Sequence, residues 1–270
     1  MTQQRRILAD IATRRLAMQL TALLVGCCVQ PIATASAAVA GGAQLSVIYQ
    51  EVRNASVPSA AATLHRLAMR ERSMIAGACG AGGTGEGAGG GAGGGADNVQ
   101  ILQELGRPER WVRLEWTCEA LNLEATPAGG PDELHALEAL QVAPVQILRH
   151  HELPGVTGAQ RAAWPDPGRA GNVVFEVTHV DIGPGPGVSL ADVDDAIRDY
   201  ISAARTARGN LRAEAWRLNG RANHSTLLLV WTTRADRARF AAGTDTERFR
   251  GKIAAGLGAP YDDRLYHRVD

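Results

Sequence analysis

The alternation of apolar and polar positions is clearest in the C-terminal part of the chain. Residues 173–180 are apolar on both faces of a strand pattern, which predicts a strand buried on both sides. A Gly-Pro run at 183–187 ends this strand. Ser189 then stands at a helix N-cap position. Helical spacing of the apolar positions that follow predicts a helix: Leu190, Val193, Ile197, Tyr200, Ile201 and Ala204.

A hairpin, a second helix and a last strand follow. The hairpin joins strands at 211–218 and 226–231 around the turn Asn219-Gly220-Arg221. Helical spacing predicts a helix over 246–257, and residues 261–269 provide a final strand. The order strand, helix, strand, strand, helix, strand is the split β-α-β arrangement of ferredoxin-like domains, an α+β fold.

The N-terminal part repeats this order. Its elements are a strand at 47–52, a helix at 58–75 and a hairpin that joins 99–105 to 110–116. A glycine-rich insertion at 80–96 occurs in this copy alone. The duplication predicts two similar modules that pack against each other, within one chain, as two subunits of a dimer would.

Short motifs align the two copies. Three pairs match: Leu105-Gly106-Arg107 with Asn219-Gly220-Arg221, Glu115-Trp116 with Val230-Trp231, and Ala143-Pro144 with Ala259-Pro260. We therefore expect a first domain over 44–153 and a second over 172–270. The segment 154–171 is rich in Pro, Gly and Ala, which is typical of a linker.

Residues 1–40 have the layout of a secretory signal. Arginines at 5, 6, 14 and 15 precede an apolar run at 16–28, and small-residue cleavage sites follow. The run is short for a bilayer span, so we expect no spanning segment in the mature form. Plain cleavage and a lipid anchor on Cys27 are both open, because Leu24-Val25-Gly26-Cys27 resembles a bacterial lipobox. Either alternative predicts a periplasmic or secreted protein.

Charge and the content of cysteine, histidine and glycine narrow the kinds of partner and site that the chain could have. The chain has 28 basic and 28 acidic residues and no basic stripe, so we expect no nucleic-acid partner. In an exported protein Cys79 and Cys118 could pair, although the glycine insertion directly after Cys79 leaves free thiols as the alternative. The scattered histidines, with His150 and His151 among them, lack metal-ligand spacing. The glycines at 80–85 match a dinucleotide fingerprint without the strand and helix that such a site needs.

Several motifs of the second copy occur together: Thr178-His179-Val180-Asp181, Gly209-Asn210-Leu211-Arg212, Asn223-His224, Val230-Trp231, Phe249-Arg250, and Gly258-Ala259-Pro260 through Tyr266. On these residues the stretch 173–270 resembles the antibiotic biosynthesis monooxygenase family, whereas 47–153 resembles it mainly in the order of elements. The resemblance implies two ferredoxin-like (βαββαβ) domains paired as an intrachain dimeric α/β-barrel. It also implies oxygenation of a small quinol or phenolic aromatic by O2 with no cofactor and no metal. A deprotonated dihydroxyaromatic is electron-rich enough to reduce O2 itself.

The family pattern places an asparagine and a tryptophan on the hairpin and a histidine after it. Asn223 and Trp231 match the first two positions. Phe240 stands at the histidine position, and Asp245 stands where a second histidine is frequent. Proton removal would then fall to another histidine or to solvent.

Other residues supply the remaining candidates. The predicted catalytic residues are His179, Asn223, His224 and Trp231, and the predicted substrate contacts are Phe175, Phe240, Arg250 and Tyr266. His179 is a candidate base because it shares a strand face with Phe175. Four of these residues have a purely structural alternative. His179 could be a hydrogen-bonded, half-buried histidine, and Asn223 a turn former. Trp231 could belong to the core, and Arg250 could pair with Asp262 or Asp263.

Two functions are therefore carried forward. The first is a monooxygenase that binds its aromatic substrate between the helices and sheet of the second module. The second is a noncatalytic ligand-binding or assembly protein that retains the same fold, a hypothesis that rests on the missing histidines. Further homo-oligomerisation is compatible with either.

Overall fold

The computed structural model describes residues 43–80, 98–118, 136–156, 172–183, 188–259 and 262–269. The predicted leader at 1–40, the insertion from 81 onward and most of the linker lie outside these residues. The side chains of Cys79 and Cys118 lie outside them too, so their pairing stays a prediction. We call residues 43–156 the first half and 172–269 the second half.

Each half supplies four strands and its own helices. The first half contains β1 (Ala43–Glu51), α1 (Val57–Gly80), β2 (Val99–Glu104), β3 (Arg107–Cys118) and β4 (Gln146–Glu152). The second half contains β5 (Val174–Asp181), α2 (Leu190–Thr206), β6 (Asn210–Leu218), β7 (His224–Trp231), α3 (Arg234–Ala241), α4 (Thr244–Ala254) and β8 (Asp262–Arg268).

Within the described residues the eight strands close into one barrel, in the order β1-β3-β2-β8-β5-β7-β6-β4. All neighbouring pairs in the barrel are antiparallel. The halves are joined twice, because β8 pairs with β2 through Glu104 and Tyr266, and β4 pairs with β6 through His150 and Leu218. Closure leaves no unpaired sheet edge, and it makes the barrel interior a space that both halves share.

Three apolar layers stabilise this architecture. One fills the barrel interior with side chains from both halves, among them Leu45, Val112, Phe175 and Val230. A second lies between α2, α4 and the outer face of the second-half sheet. A third lies between α1 and the outer face of the first-half sheet. The mixed α/β class predicted from the sequence is confirmed.

The predicted start of α2 is confirmed. The side chain of Ser189 accepts a hydrogen bond from the backbone N–H of Asp192 at 3.1 Å, and the Asp192 carboxylate accepts one from the backbone N–H of Ser189 at 3.3 Å. This capping box satisfies two of the N–H groups that a helix start leaves without partners. The apolar positions predicted from helical spacing form the buried face of α2, except Leu190, which is exposed.

One helix was not predicted. α3 has no buried residue, so it carries none of the apolar periodicity on which helix prediction depends. Its start is nevertheless encoded by Thr233, whose side chain accepts the backbone N–H of Asp236 at 3.1 Å.

The two matched tryptophans occupy opposite faces of the barrel wall. Trp116 lies in the interior layer, whereas Trp231 lies under the helices of the second half. Successive strand residues point to opposite faces, so the alignment that pairs Trp116 with Trp231 is displaced by one position. The positional equivalent of Trp116 is Val230, and that of Trp231 is Thr117.

Among the described residues no helix combines the length and apolar character needed to cross a membrane.

Candidate functional site: a cavity at the mouth of the barrel

A cavity of about 630 Å³ opens at the end of the barrel where β1 and β5 finish and β7 begins. Both halves line it. The lining includes Tyr49, Gln50, Glu104, Arg110 and Trp111 from the first half, and His179, Asp181, His224, Arg264 and Tyr266 from the second. This volume lies within the range of small-molecule sites.

Alternation along the strands places these groups. Residues 175, 177 and 179 of β5 face inward, as do residues 45, 47 and 49 of β1, so β1 and β5 each end in a polar side chain inside the barrel. Register makes Tyr49 and His179 equivalent: Tyr49 is paired with Val112, and His179 with Thr226. The two equivalent positions meet across the barrel, because the Tyr49 hydroxyl lies 2.5 Å from His179 Nε2.

A chain of hydrogen bonds continues inward from this contact. His179 Nδ1 lies 3.1 Å from Thr226 Oγ1, and Thr226 Oγ1 lies 2.8 Å from His150 Nε2. His150 Nδ1 then lies 3.2 Å from the backbone oxygen of Leu45. Two strands of the second half, β5 and β7, and two of the first, β1 and β4, are therefore connected through groups that mostly lie inside the barrel.

The backbone carbonyl of Leu45, at the end of this hydrogen-bonded chain, determines which ring nitrogens carry protons. A backbone carbonyl can only accept, so His150 Nδ1 carries the proton and His150 Nε2 accepts from the Thr226 hydroxyl. Thr226 Oγ1 in turn accepts from His179 Nδ1, which leaves His179 Nε2 to accept from the Tyr49 hydroxyl. For neutral rings, one carbonyl group thus determines the tautomer of both histidines.

Burial keeps His150 neutral. Its side chain is fully buried, and desolvation lowers its pKa from 6.5 to about 3, against the hydrogen bond to Leu45 that raises the pKa. The neighbouring His179 and His224 lower it further. His150 therefore acts as a neutral acceptor at physiological pH.

His224 has a different environment. It lines the cavity, it is 9% exposed, and neither of its ring nitrogens makes a hydrogen bond. Asp181 Oδ2 lies 3.8 Å from His224 Nδ1, beyond hydrogen-bond reach. Burial lowers the pKa of His224, Asp181 raises it, and Arg221 and Arg217 lower it. The ring is therefore neutral near pH 7, and both of its nitrogens are buried without a hydrogen-bond partner.

Two more residues of the cavity wall each carry a buried polar atom without a hydrogen-bond partner. These atoms are Gln50 Oε1 and the indole nitrogen of Trp111. The cavity wall thus combines aromatic, aliphatic and charged side chains with an acceptor, a donor and a basic nitrogen that no other protein group engages.

Asn223 stands beside this cavity as a structural group. Its amide donates to the backbone oxygen of Ile182 at 2.7 Å and to Asp181 Oδ1 at 3.3 Å. Asp181 also accepts from Arg221 at 3.1 Å. Asn223 therefore ties the start of β7 to the end of β5 and positions its neighbour His224.

Trp231 lies in the apolar layer between the helices and the second-half sheet and does not line the cavity. It is fully buried, and its indole N–H donates to Glu176 Oε2 at 3.1 Å. Its ring centroid lies 5.0 Å from that of Phe240, which also lies 5.4 Å from Tyr200. The space between helices and sheet, where the sequence interpretation placed the substrate, is filled by these side chains.

The remaining predicted contacts divide between core, cavity and surface. Phe175 is a fully buried member of the interior layer, and Tyr266 lines the cavity. Arg250 lies 3.6 Å from Asp263 on the surface. Of the eight predicted residues, the structure brings His179, His224 and Tyr266 to the cavity wall.

Sequence interpretation missed Tyr49, Thr226 and His150. The available signal was alternation: each falls at an inward position of its strand, in phase with apolar neighbours such as Val47, Leu228 and Leu148. Using it requires knowing that the barrel closes, because the partners come from strands far apart in sequence.

Comparison with solved structures identifies the fold. A "putative monooxygenase" from Fusobacterium nucleatum is similar with a TM-score of 0.62 and 10% identity, over 85% of this chain and 93% of that chain. A "putative monooxygenase" from Lactobacillus acidophilus NCFM has a TM-score of 0.56 and 9% identity, over 85% and 95% of the two chains. An anthrone oxidase-like protein has a TM-score of 0.54 and 8% identity, over 85% and 92%.

The predicted resemblance is thereby confirmed as one of fold: both halves together match single chains described as monooxygenases. No protein-family model matches the sequence, and no curated protein is significantly similar to it.

Proposed function

We propose that the chain is a cofactor-independent monooxygenase whose substrate, a small quinol or phenolic aromatic, binds in the cavity at the barrel mouth. The observation that carries this proposal is His224, a buried, neutral histidine with no hydrogen-bond partner at either ring nitrogen, on the wall of a cavity large enough for an aromatic molecule. A general base needs such a lone pair within reach of its proton.

The reaction requires no redox group from the protein, because the substrate itself reduces O2. His224 takes the proton of a ring hydroxyl, and the resulting anion transfers an electron to O2. Recombination and loss of water then convert a ring C–H into C=O, with one oxygen atom in the product and the other in water. The substrate supplies all the electrons. The protein contributes the base, the orientation and the exclusion of bulk water.

The hydrogen-bonded chain supports the same assignment by elimination. His179 Nε2 is already engaged by the Tyr49 hydroxyl, and His150 is engaged at both ring nitrogens. These two histidines are positioned, whereas His224 has capacity for a ligand. Gln50 and Trp111 would accept from and donate to polar groups of the ring.

The finer architecture belongs to the same proposal. We treat 44–153 and 172–270 as two ferredoxin-like domains that form an intrachain version of a dimeric barrel, because each contributes four strands and closure occurs through the last strand of each. The proposal also includes export directed by the leader at 1–40, either with plain cleavage of the leader or with lipidation of Cys27. The mass of the mature N-terminus tests that part.

The decisive experiment is oxygen uptake with a panel of hydroquinones, combined with labelled O2 and mass spectrometry of the product. The wild type should incorporate one labelled oxygen atom per turnover. His224→Gln should lower kcat roughly a hundredfold, as expected for loss of a general base. The matched control is His65→Gln on the exposed face of α1, which should retain full activity. Absence of uptake with every hydroquinone would remove the enzymatic proposal.

A second candidate function rests on a specific observation. Phe240 packs against Trp231 at the place where the family resemblance implies a catalytic histidine, and Asp245 pairs with Arg248 on the surface. This filling of the helix–sheet space favours a noncatalytic ligand-binding protein. Aromatic binding without turnover would support it, and activity gained by Phe240→His would argue for a recently lost enzyme.

A further inference from the structure

Asp181 stands directly opposite His224 at the mouth of the barrel. The two residues are Cα partners in the pairing of β5 with β7, so their side chains lie next to each other on one face of the sheet, and both line the cavity. Asp181 Oδ2 lies 3.8 Å from His224 Nδ1, and the two side chains are 26% and 11% exposed. A carboxylate therefore adjoins a histidine whose ring nitrogens have no hydrogen-bond partner among the described residues.

The Asp181 carboxylate is held in place by groups of its own half. Its Oδ2 accepts a hydrogen bond from Arg221 at 3.1 Å, and its Oδ1 accepts one from the Asn223 amide at 3.3 Å. The backbone oxygen of Asp181 accepts from the N–H of Gly258 at 2.7 Å. Because a carboxylate has about four acceptor sites, these bonds orient Asp181 and leave Oδ2 able to accept from a protonated His224.

The first half places an acid and a base at the same two positions. In register, Glu51 is the counterpart of Asp181, and its strand partner Arg110 is the counterpart of His224. Arg110 Nε lies 3.5 Å from Glu51 Oε2. Arginine is permanently charged, whereas histidine becomes charged only when it takes up a proton. The second half therefore has a conditional version of the ion pair that the first half has permanently.

Charges of both signs surround His224. Burial is the main cause that lowers its pKa, Asp181 raises the pKa, and Arg221 and Arg217 lower it. Arg217 is itself paired with Asp194. Other titratable side chains close to the ring or on the cavity wall are His150, His179, Glu51, Glu104, Arg110 and Arg264. Asp181 is thus the carboxylate that favours a charged His224 ring, against burial and two arginines.

We propose that Asp181 is the positioning residue of His224. It keeps the ring proton on Nδ1, which makes Nε2 the basic atom, and it pairs with the imidazolium that forms when Nε2 takes a proton. In that step the O–H bond of the ligand breaks, an N–H bond forms at Nε2, and the electron pair stays on the ligand oxygen. The Nδ1–H then closes from 3.8 Å to the about 2.8 Å of a charge-assisted hydrogen bond. This inference rests on the proposed function for the role of His224 as a base.

NMR titration of the His224 ring signals, assigned with His224→Gln, tests the pair without a substrate. In the neutral wild-type ring, the nitrogen chemical shifts should show the proton on Nδ1. Asp181→Asn keeps the size of the side chain and an acceptor for Asn223 but removes the charge, so the pKa of His224 should fall below its wild-type value. A merely structural role predicts the opposite, because a loosened and better solvated ring would move up toward the ordinary 6.5. Asp199→Asn, at an exposed carboxylate on α2, is the matched control and should leave the pKa unchanged.

Turnover provides a second readout. His224 acts as a base only when it is deprotonated, so the acid limb of the kcat profile of Asp181→Asn should move to lower pH. The plateau above that limb should fall roughly tenfold, because the base is weaker. Asp181→Glu returns a carboxylate and should restore part of the plateau.

The outcomes separate the two proposals. A neutral wild-type ring with its proton on Nε2, or a pKa that stays or rises in Asp181→Asn, would overturn the pair. Oxygen uptake that depends on His224 would in that case leave the monooxygenase proposal standing. The Nδ1–H tautomer together with a lowered pKa in Asp181→Asn would establish the pair, and absence of oxygen uptake with every hydroquinone would then overturn the enzymatic proposal alone.

Discussion

The neutral, buried state of His150 predicts a specific loss of stability in acid. In the folded protein burial lowers the pKa of His150 to about 3, whereas the unfolded chain binds the proton near the ordinary value of 6.5. A group whose pKa is depressed by folding contributes stability that is present above the unfolded pKa and is lost as pH falls toward the folded pKa. Acidification from pH 7 to pH 5 should therefore remove about 2 kcal/mol of unfolding free energy through this residue alone.

The assay is urea unfolding of the wild type and of His150→Gln at both pH values. Glutamine retains an acceptor for the Thr226 hydroxyl but does not titrate, and all other ionisable groups are common to the two proteins. The wild type should therefore lose about 2 kcal/mol more than the variant on acidification. An equal loss in both proteins would refute the claim that a neutral His150 is locked inside the barrel.

Three further predictions concern other parts of the fold. Thr226→Val keeps the side-chain shape but removes the hydroxyl that connects two histidines. Thermal and urea unfolding should therefore show that the unfolding free energy falls by roughly 2–4 kcal/mol. An unchanged unfolding free energy would contradict the hydrogen-bonded chain. Burial raises the pKa of Glu71 from 4.5 to about 9, so this carboxyl group lowers the stability of the folded state as pH rises above 4.5. Glu71→Gln should therefore be more stable than the wild type at pH 8, and its advantage should shrink near pH 5. The opposite trend would show that Glu71 is charged in the folded protein. Gly209 has φ of +79°, and an added Cβ would lie 2.5 Å from the nearest atom of the Asp236 side chain, so Gly209→Ala should lower stability by more than about 1 kcal/mol in urea, whereas an unchanged midpoint would exclude this close approach.

Local patterns were sufficient for most of the fold. Apolar spacing and the Ser189 cap predicted α2, and the duplicated order of elements predicted two halves with the same strand sequence. The hairpin turns were also visible, since Gly106 and Gly220 both adopt positive φ at equivalent turns. α3 was missed because a helix without buried residues has no apolar period.

The candidate site was less accessible to sequence interpretation for a physical reason. A one-residue displacement in the alignment of Trp116 with Trp231 exchanges the barrel interior for the helix layer. Tyr49 and His179 meet only because the halves close around a common interior, and no local pattern reports a contact across 130 residues. Conversely, the sequence indicated His179 because it shares a strand face with Phe175, and His224 because it follows Asn223 at the hairpin.

The central claim is that the functional space lies at the mouth of the barrel, between the two halves. A crystal structure of the protein with bound hydroquinone tests it most directly. The account predicts the ring in the cavity with a hydroxyl within hydrogen-bond distance of His224. A ring bound between α2 and the sheet, against Trp231 and Phe240, would contradict it.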